Sequence, residues 1–547
     1  MSAVKRLLAL AALAAITIAG CSKADTSAAR GIRINPWTHP HVLTFTDASD
    51  IDSLNPMFST ELTVSYLSSM TAAFLTKWDR HNKPYPELST EVPTMANGGV
   101  SKDGLTIAFH LRKGLKWSDG APLDADDVVW TYHAIMNPAN NAGSRSGWDL
   151  VTSVAEPNKT TVIFHLKQPY SPFIVRFFSS AGADSSILPK HLLARYPNIN
   201  HVPFNALPVG AGPFMYKQWL RGQRVVLVRN PYYFRGEPKL QEVDYEVVPN
   251  RDTVFTELLS HNIDLWAQVA GLYLVRANEL NGYSVLTQPV YQWGHIDFSP
   301  KQPAFQDPVV RHAMELAMDR QQMITKVQRG YAHLEEGIAP ESAPYYDRDI
   351  PLVPFDLAEA NRLLDGDGWM RGADGIREKH GERLDFVFVL QSRAQNLENM
   401  VELMRANWQK IGVAITVKHY SAPQLFEPYA EGGILENDKF DLALFSWTDD
   451  MIGDFSALYG CDQFPPAGQN ELRWCNLKAD RAMHALFGHY DQAQRNADDK
   501  IVFEALAKDR PQITLGIPDG GYIYNKDLKG WNPNALTPFD DMMNVDI

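Results

Sequence analysis

Leu384-Asp385-Phe386-Val387-Phe388-Val389-Leu390, the segment Asn396 to Ile411, and Ala414-Ile415-Thr416-Val417-Lys418-His419-Tyr420 together decide the fold. The first and last are short runs rich in β-branched and aromatic residues, the composition of strands. The middle segment sets Met400, Met404, Trp408 and Ile411 at i, i+4, i+8 and i+11, which is one face of a helix. Gly412 stands where a helix C-cap is expected. Strand, helix and strand in this order make a βαβ unit, whose crossover helix lets two strands pair in parallel.

The neighbouring segments extend the same pattern. Phe440 to Phe445 is an apolar run followed by Ser446-Trp447-Thr448-Asp449-Asp450, read as an interior strand that ends in a polar loop. Asp307-Pro308 supplies a helix cap and an N1 proline, and Asp356 with Glu359 repeats the capping logic. Towards the N-terminus, Thr106 to Leu111 and Thr161 to Leu166 alternate as half-buried strands. Between them Asp124-Ala125-Asp126-Asp127 opens a helix whose Val128, Tyr132, Ile135 and Met136 share one face, a core stripe. The expected class is α/β, and no internal repeat is visible.

A chain of 547 residues accommodates several domain-sized units. Its 45% hydrophobic and 21% charged residues are those of a soluble globular protein. The 51 Lys and Arg against 64 Asp and Glu leave a net charge of -13, which repels phosphate backbones and excludes nucleic acid as a partner.

The N-terminus has Lys5 and Arg6, an apolar run from Leu7 to Ile18, and small residues before Cys21, the layout of a secretory signal. That run spans about 18 Å as a helix, too short for a hydrocarbon core of about 30 Å. Ile18-Ala19-Gly20-Cys21 resembles the bacterial lipobox, so residues 1–20 are expected to be removed and Cys21 acylated, with a polar tether over 21–35. Cys461 and Cys475 then remain, and in an exported protein they read as a disulfide, two buried thiols being the plainer alternative.

No nucleophile elbow, zinc helix or phosphate loop is present, so neither a catalytic residue nor a resident metal or cofactor is expected. Asp365-Gly366-Asp367-Gly368 lacks the ligand spacing of a calcium loop and reads as a turn. His39-Pro40-His41 reads as solvated loop rather than a metal pair. The aromatics Trp266, Trp293, Trp447 and Trp474 lie near polar segments, where rings suit a concave ligand site, although most tryptophans fill cores. Trp447 stands out because two aspartates follow it at the expected carboxyl end of a strand.

From Asp103 to Tyr132 the chain contains Asp-Gly-Leu-Thr-Ile-Ala-Phe-His-Leu-Arg-Lys-Gly-Leu-Lys-Trp-Ser-Asp-Gly, then Pro122-Leu123 and Asp126-Asp127-Val128. This resembles the family 5 extracellular solute-binding proteins, the peptide and nickel receptors of ABC importers. Gly210-Ala211-Gly212-Pro213-Phe214, Arg229-Asn230-Pro231-Tyr232-Tyr233, Phe305 to Ala313 and Asp319-Arg320 follow in the family's order.

The resemblance implies a two-lobed α/β fold of the periplasmic-binding-protein type (type II), with an extra subdomain in the first lobe and hinge closure over a ligand. The expected first lobe is 36–60, 186–270 and a return segment 515–547, with the subdomain at 61–185 and the second lobe at 271–514. The chain crosses between lobes near Trp266 to Gly271 and near Pro511 to Ile517. The implied function is capture of short peptides by a monomeric, lipid-anchored receptor in the cell envelope, at the periplasm or the outer face of the cytoplasmic membrane, which feeds a permease and ATPase. A nickel chelate, an opine, an oligosaccharide or a signalling partner are the alternatives, and a triad assembled in space is the remote enzymatic one.

In peptide-binding relatives an aspartate of a Trp-x-x-Asp loop holds the ligand's ammonium. Asp450 matches it here, with Trp447, Thr448, Trp293 and Trp474 nearby and Asp449 in reserve. Two departures stand out: Gly453-Asp454-Phe455 replaces the usual Asp-Pro step, and Ser299 replaces an asparagine, which implies the loss of an amide contact.

Overall fold

Met400, Met404, Trp408 and Ile411 are all buried, and the Trp408 indole donates to the Met314 carbonyl at 2.9 Å. Truncating such a side chain costs about 3–5 kcal/mol, so this face fixes the helix against its sheet. The computed structural model describes residues 35–547 apart from Thr60, Gly143, Ala270, Arg393, Ala394, Asp450 and Met451. Cys21, the expected signal, and all of the tether but Asn35 lie outside the described residues.

A mixed sheet of twelve strands dominates, and of the three smaller sheets one of three strands matters here. In chain order these strands are β1 (Val42–Thr46), β2 (Thr106–His110), β3 (Val151–Asn158), β4 (Thr161–Leu166), β5 (Phe214–Leu220), β6 (Arg224–Arg229), β7 (Glu242–Glu246), β8 (Leu265–Val269), β9 (Tyr283–Pro289), β10 (Gln292–Phe298), β11 (Ala332–His333), β12 (Asp385–Gln391), β13 (Ala414–Tyr420), β14 (Leu442–Thr448) and β15 (Gln512–Asn525). The helices used below are α1 (Ala125–Met136), α2 (Pro308–Leu316), α3 (Gln395–Lys410), α4 (Leu477–Leu486) and α5 (Gln492–Asp509).

The main sheet runs β13-β12-β14-β10-β15-β8-β1-β7-β6-β5, with β9 and β11 also on β15. The β12-α3-β13 unit pairs in parallel from Asp385 with Ala414 to Gln391 with Tyr420. Gly412 adopts φ +84 just past α3, and a Cβ there would lie 2.6 Å from the Arg377 side chain. Asp307 caps α2 by accepting from the Val309 N–H at 2.9 Å, and Asp124 caps α1 in a full capping box.

Strand β15 joins the two ends of the sheet. Gln512 to Gly516 pair with β10, Ile517 and Pro518 with β11, and the residues beyond with β9 and β8. Separate cores flank it. Leu43, Phe45, Phe214 and Tyr245 pack with Tyr522, Phe539 and Val545 on one side, and Ile296, Phe386, Met404 and Trp408 gather on the other. A third core, from Met57 to Ala211, belongs to the small sheet β2-β4-β3 and α1. A fourth joins Tyr291, Trp293, Tyr345 and Phe455 to the faces of α4 and α5.

The ordered motifs of the first part of the chain hold one another. Asn230 is buried and donates to the Gly212 carbonyl at 2.8 Å, while Ser118 N–H donates to the Gly210 carbonyl at 2.8 Å. A Cβ at Gly210 would sit 1.9 Å from the Thr71 carbonyl oxygen. Only glycine lets these backbones pass so closely.

Candidate functional site

Strand β14 extends further than its apolar run suggests. The loop expected from Ser446 onward is still strand through Thr448, because Ser446, Trp447 and Thr448 pair with Gly294, Trp293 and Gln292 of β10. On its other side β14 pairs with β12 only at Leu442, Ala443 and Leu444. Among the described residues, Phe445 to Thr448 therefore have a strand partner on one edge and none on the other.

The side chains along this stretch differ in exposure. Ser446 and Thr448 are exposed and Trp447 is half-buried, its ring 5.4 Å from Phe445 and 6.4 Å from Phe426. Trp293, directly opposite Trp447 on the neighbouring strand, is fully buried with its ring edge-on to Phe455. Trp474 is half-buried and donates to Asp509 at 3.0 Å, and Trp266 is fully buried in β8. The structure thus brings Trp293 and Trp447 together and places Trp474 on the helix α5 side of the fourth core. Asp450 lies outside the described residues.

Asp449 follows the strand and is held from two directions. Its N–H donates to the Tyr291 carbonyl at 2.8 Å, and its carboxylate accepts the hydroxyl of Tyr345. Both tyrosines are buried, and burial pushes the Tyr291 phenol well above its usual range. The Tyr291 hydroxyl accepts from Asn82 at 3.0 Å, and Asn82 lies in the tight turn between the short strands Thr76–Trp78 and Pro84–Pro86. Sequence reasoning missed Tyr291, Tyr345 and Asn82, since each comes from a distant segment with no local motif.

Beyond the loop, residues 170–171 and 104 meet the α4–α5 region. Ser171 N–H donates to the Phe487 carbonyl at 2.8 Å, and the Tyr490 hydroxyl donates to the Gly104 carbonyl at 3.0 Å. Ser299, in contrast, follows the far end of β10, six residues from Trp293 and so roughly 20 Å along the strand. Its N–H donates to the Asp441 carbonyl at 2.9 Å. The amide contact expected to be missing at this position would have belonged to that end of the sheet, away from the Trp447 loop.

Cys461 and Cys475 are joined in a disulfide, with Cα atoms 4.8 Å apart. The closed loop covers Tyr459 and carries the buried Glu471, whose carboxyl burial raises well above its ordinary range. Below it on β10, His295 is fully buried and held neutral, burial lowering its pKa to about 3. Among the described residues no cluster of three or more His, Cys, Asp or Glu is arranged to hold a metal ion, and no helix is long and apolar enough to cross a membrane. Asp365 and Asp367, in the segment read as a turn, pair with Arg377 and Lys379.

Among the described residues, a strand edge without a strand partner runs up to the carboxylate of Asp449, a geometry that suits an added main chain with a positively charged end. Comparison with known proteins agrees with a receptor of this kind. Oligopeptide-binding protein AppA of Bacillus subtilis (strain 168) is 26% identical over 500 residues, which cover 90% of this chain and 88% of AppA. The structure of AppA in complex with a nonapeptide superposes with a TM-score of 0.71 at 24% identity, covering 92% of this chain and 98% of that one. NikZ from Campylobacter jejuni in complex with Ni(L-His) gives a TM-score of 0.72 at 24% identity, covering 91% and 96%. Residues 83–465 match the family described as bacterial extracellular solute-binding proteins, family 5 Middle. With most of its length inside that match, the chain belongs to the family 5 bacterial extracellular solute-binding proteins.

Proposed function

We propose that the chain is the substrate-binding receptor of an ABC importer and captures short peptides in a cleft between two lobes. The first lobe takes 36–60, 186–270 and 515–547 with its subdomain at 61–185, and the second takes 271–514. The observation that carries this reading is the edge of β14 from Phe445 to Thr448, which has no strand partner among the described residues and is followed in the sequence by Asp449 and Asp450. Four strand residues expose roughly 13 Å of main chain, enough to pair with a few peptide units by strand addition, which grips backbone and tolerates varied side chains.

The acids at the end of that edge supply the second half of the recognition. A carboxylate 4 Å from an ammonium gains about 1 kcal/mol in water and about 4 at an effective dielectric of 20, so closure over the ligand sharpens the preference for a free amine. Asp450 takes the ammonium in this reading, Trp447 and Thr448 border it, and Asp449 braces the loop through Tyr345. Trp293 flanks Trp447 on the neighbouring strand. The relatives named for oligopeptides support the ligand class.

The reading includes acylation at Cys21, which tethers a monomeric receptor to the envelope, and delivery of the ligand to a permease and ATPase, since the chain has no phosphate loop of its own. Native mass spectrometry of gently purified protein lacking residues 1–21, followed by denaturing release, tests the ligand class. A ladder of short peptides is the expected result. A single nonpeptide mass, such as a nickel chelate, an opine or an oligosaccharide, overturns the peptide assignment and leaves the receptor fold standing.

A further inference from the structure

Arg495 connects the segment after β14 to a segment built on a different core. It projects from α5 and is 7% exposed. One nitrogen, Nη1, donates to the Ser171 hydroxyl oxygen at 2.9 Å, while Nη2 donates to the carbonyl of Ile452. Ile452 lies two residues beyond Asp450, and Ser171 precedes Phe173 and Ile174 of the core shared by the small sheet and α1. A guanidinium is a flat fork of donors, so one side chain can hold two acceptors in a fixed relation.

The surroundings make this fork specific. The Ser171 hydroxyl donates to the Leu486 carbonyl at 3.1 Å, which leaves its lone pairs for Arg495. Tyr490 accepts from the Tyr170 N–H at 3.3 Å, and the rings of Tyr170 and Phe487 lie 5.5 Å apart. On the other side, Asp499 stands one turn along α5 and is 1% exposed. It lies directly under Gly453, where a Cβ would approach Asp499 Oδ2 to 3.1 Å and where φ is +75. The loop from Ile452 to Asp454 is thus seated on the Arg495 and Asp499 face of α5.

We propose that Arg495 is a positioning residue that fastens the segment after β14, at Ile452, to residues 170–171, so that Ile452 to Asp454 are seated only when these two parts of the chain meet. This rests on the receptor reading above. Ligand held by the loop then stabilises the seam, and the seam in turn slows ligand escape.

The test uses the full mature chain as Arg495→Lys, Ser171→Ala and the double variant, with tri-, tetra- and penta-alanine as probes. Spin labels at Lys102→Cys and Gln492→Cys, both exposed sites flanking the seam, report its separation with and without peptide. The expected result is a dissociation rate raised about 10-fold or more in either single variant with association nearly unchanged. The double variant should be no worse than the more severe single one, because both remove the same bond. The ligand-free label distance should lengthen in the variants while the melting temperature stays close to the parent's.

Unchanged off-rates and label distances, or losses that add in the double variant, overturn the proposal. If the parent binds none of the alanine peptides while Arg495→Lys still lengthens the label distance, the peptide assignment fails and the fastening role survives. Should Arg495→Lys fail to fold, Ser171→Ala alone decides by the same two readouts.

Discussion

Tyr345 donates its hydroxyl to the carboxylate of Asp449, 104 residues further along the chain. The Asp449 backbone N–H is meanwhile taken by the Tyr291 carbonyl, so the first residue after β14 is fixed both through its main chain and through its side chain. The end of β14 is thus fixed at the first residue that follows it.

Removing that hydroxyl should therefore be felt at the loop. Tyr345→Phe keeps the ring contacts with Tyr291 and Phe455 and removes the hydroxyl that donates to Asp449. A loss of about 1–3 kcal/mol of stability is expected, read from the denaturant midpoint. An unchanged midpoint would show that solvent satisfies the carboxylate equally well.

Asp450→Asn should weaken free-amine peptides about 10- to 100-fold and leave their N-acetylated counterparts nearly unaffected, as an electrostatic contact with the ammonium requires. Calorimetric titration of matched peptide pairs checks this. Equal losses for both members of a pair would assign the ammonium elsewhere.

The Cys461–Cys475 bridge closes a short loop over the buried Glu471. Reduction, or replacement of both by serine, should cost roughly 3 kcal/mol in the chain-entropy model. Thiol labelling of denatured, non-reduced mature protein should find neither cysteine free.

Asp540 provides a pH dependence with a defined sign. It is buried, accepts from the Trp78 N–H at 2.9 Å and from the hydroxyls of Ser180 and Thr537, and burial pushes its carboxyl up to about 6 against the pull of Lys77. Its folded value lies above its unfolded one, so the folded state binds the proton more tightly. The stabilisation is complete below about pH 4 and is lost as pH rises through about 6, an effect on the order of 2–3 kcal/mol. Asp540→Asn should flatten this limb of the stability profile; a profile that keeps its slope would assign the titration to another group.

Gly210→Ala should cost more than about 3 kcal/mol, because the new Cβ has the Thr71 carbonyl 1.9 Å away and neither backbone can yield cheaply. A melting temperature near the parent's would mean that the two segments separate without penalty.

Local patterns were legible in the chain and distant encounters were not. The α3 stripe of Met400, Met404 and Trp408, and the Asp307 and Asp124 caps, depend on neighbours within a turn or two, and the structure has them where spacing places them. The extension of β14 to Thr448 was hidden, because a polar Ser-Trp-Thr run reads as loop until β10 supplies its ladder. Tyr345 and Arg495 have no signature at all, since a tyrosine after an alanine and proline stretch, or an arginine in a polar helix, gains its meaning only from a partner far away in sequence. Motifs that carried the family resemblance hold one another, Ser118 on the Gly210 carbonyl and Asn230 on the Gly212 carbonyl, so they identify the fold.

The order in which the chain is made meets a late requirement in β15. Asn35 donates to Asn525 and its N–H to Asp527, and Leu43 and Phe45 share their core with Tyr522, Phe539 and Val545. The earliest strand thus waits for the last few dozen residues before its surface is covered, whatever the middle of the chain has done. A ribosome or export channel feeding this polypeptide N-terminus first releases β1 long before its core partners from Tyr522 to Val545 are made. The core around β1 therefore depends on β15 and the residues after it, and a chain stalled before residue 512 should remain open to protease around β1 while the β12-α3-β13 unit is already complete in sequence.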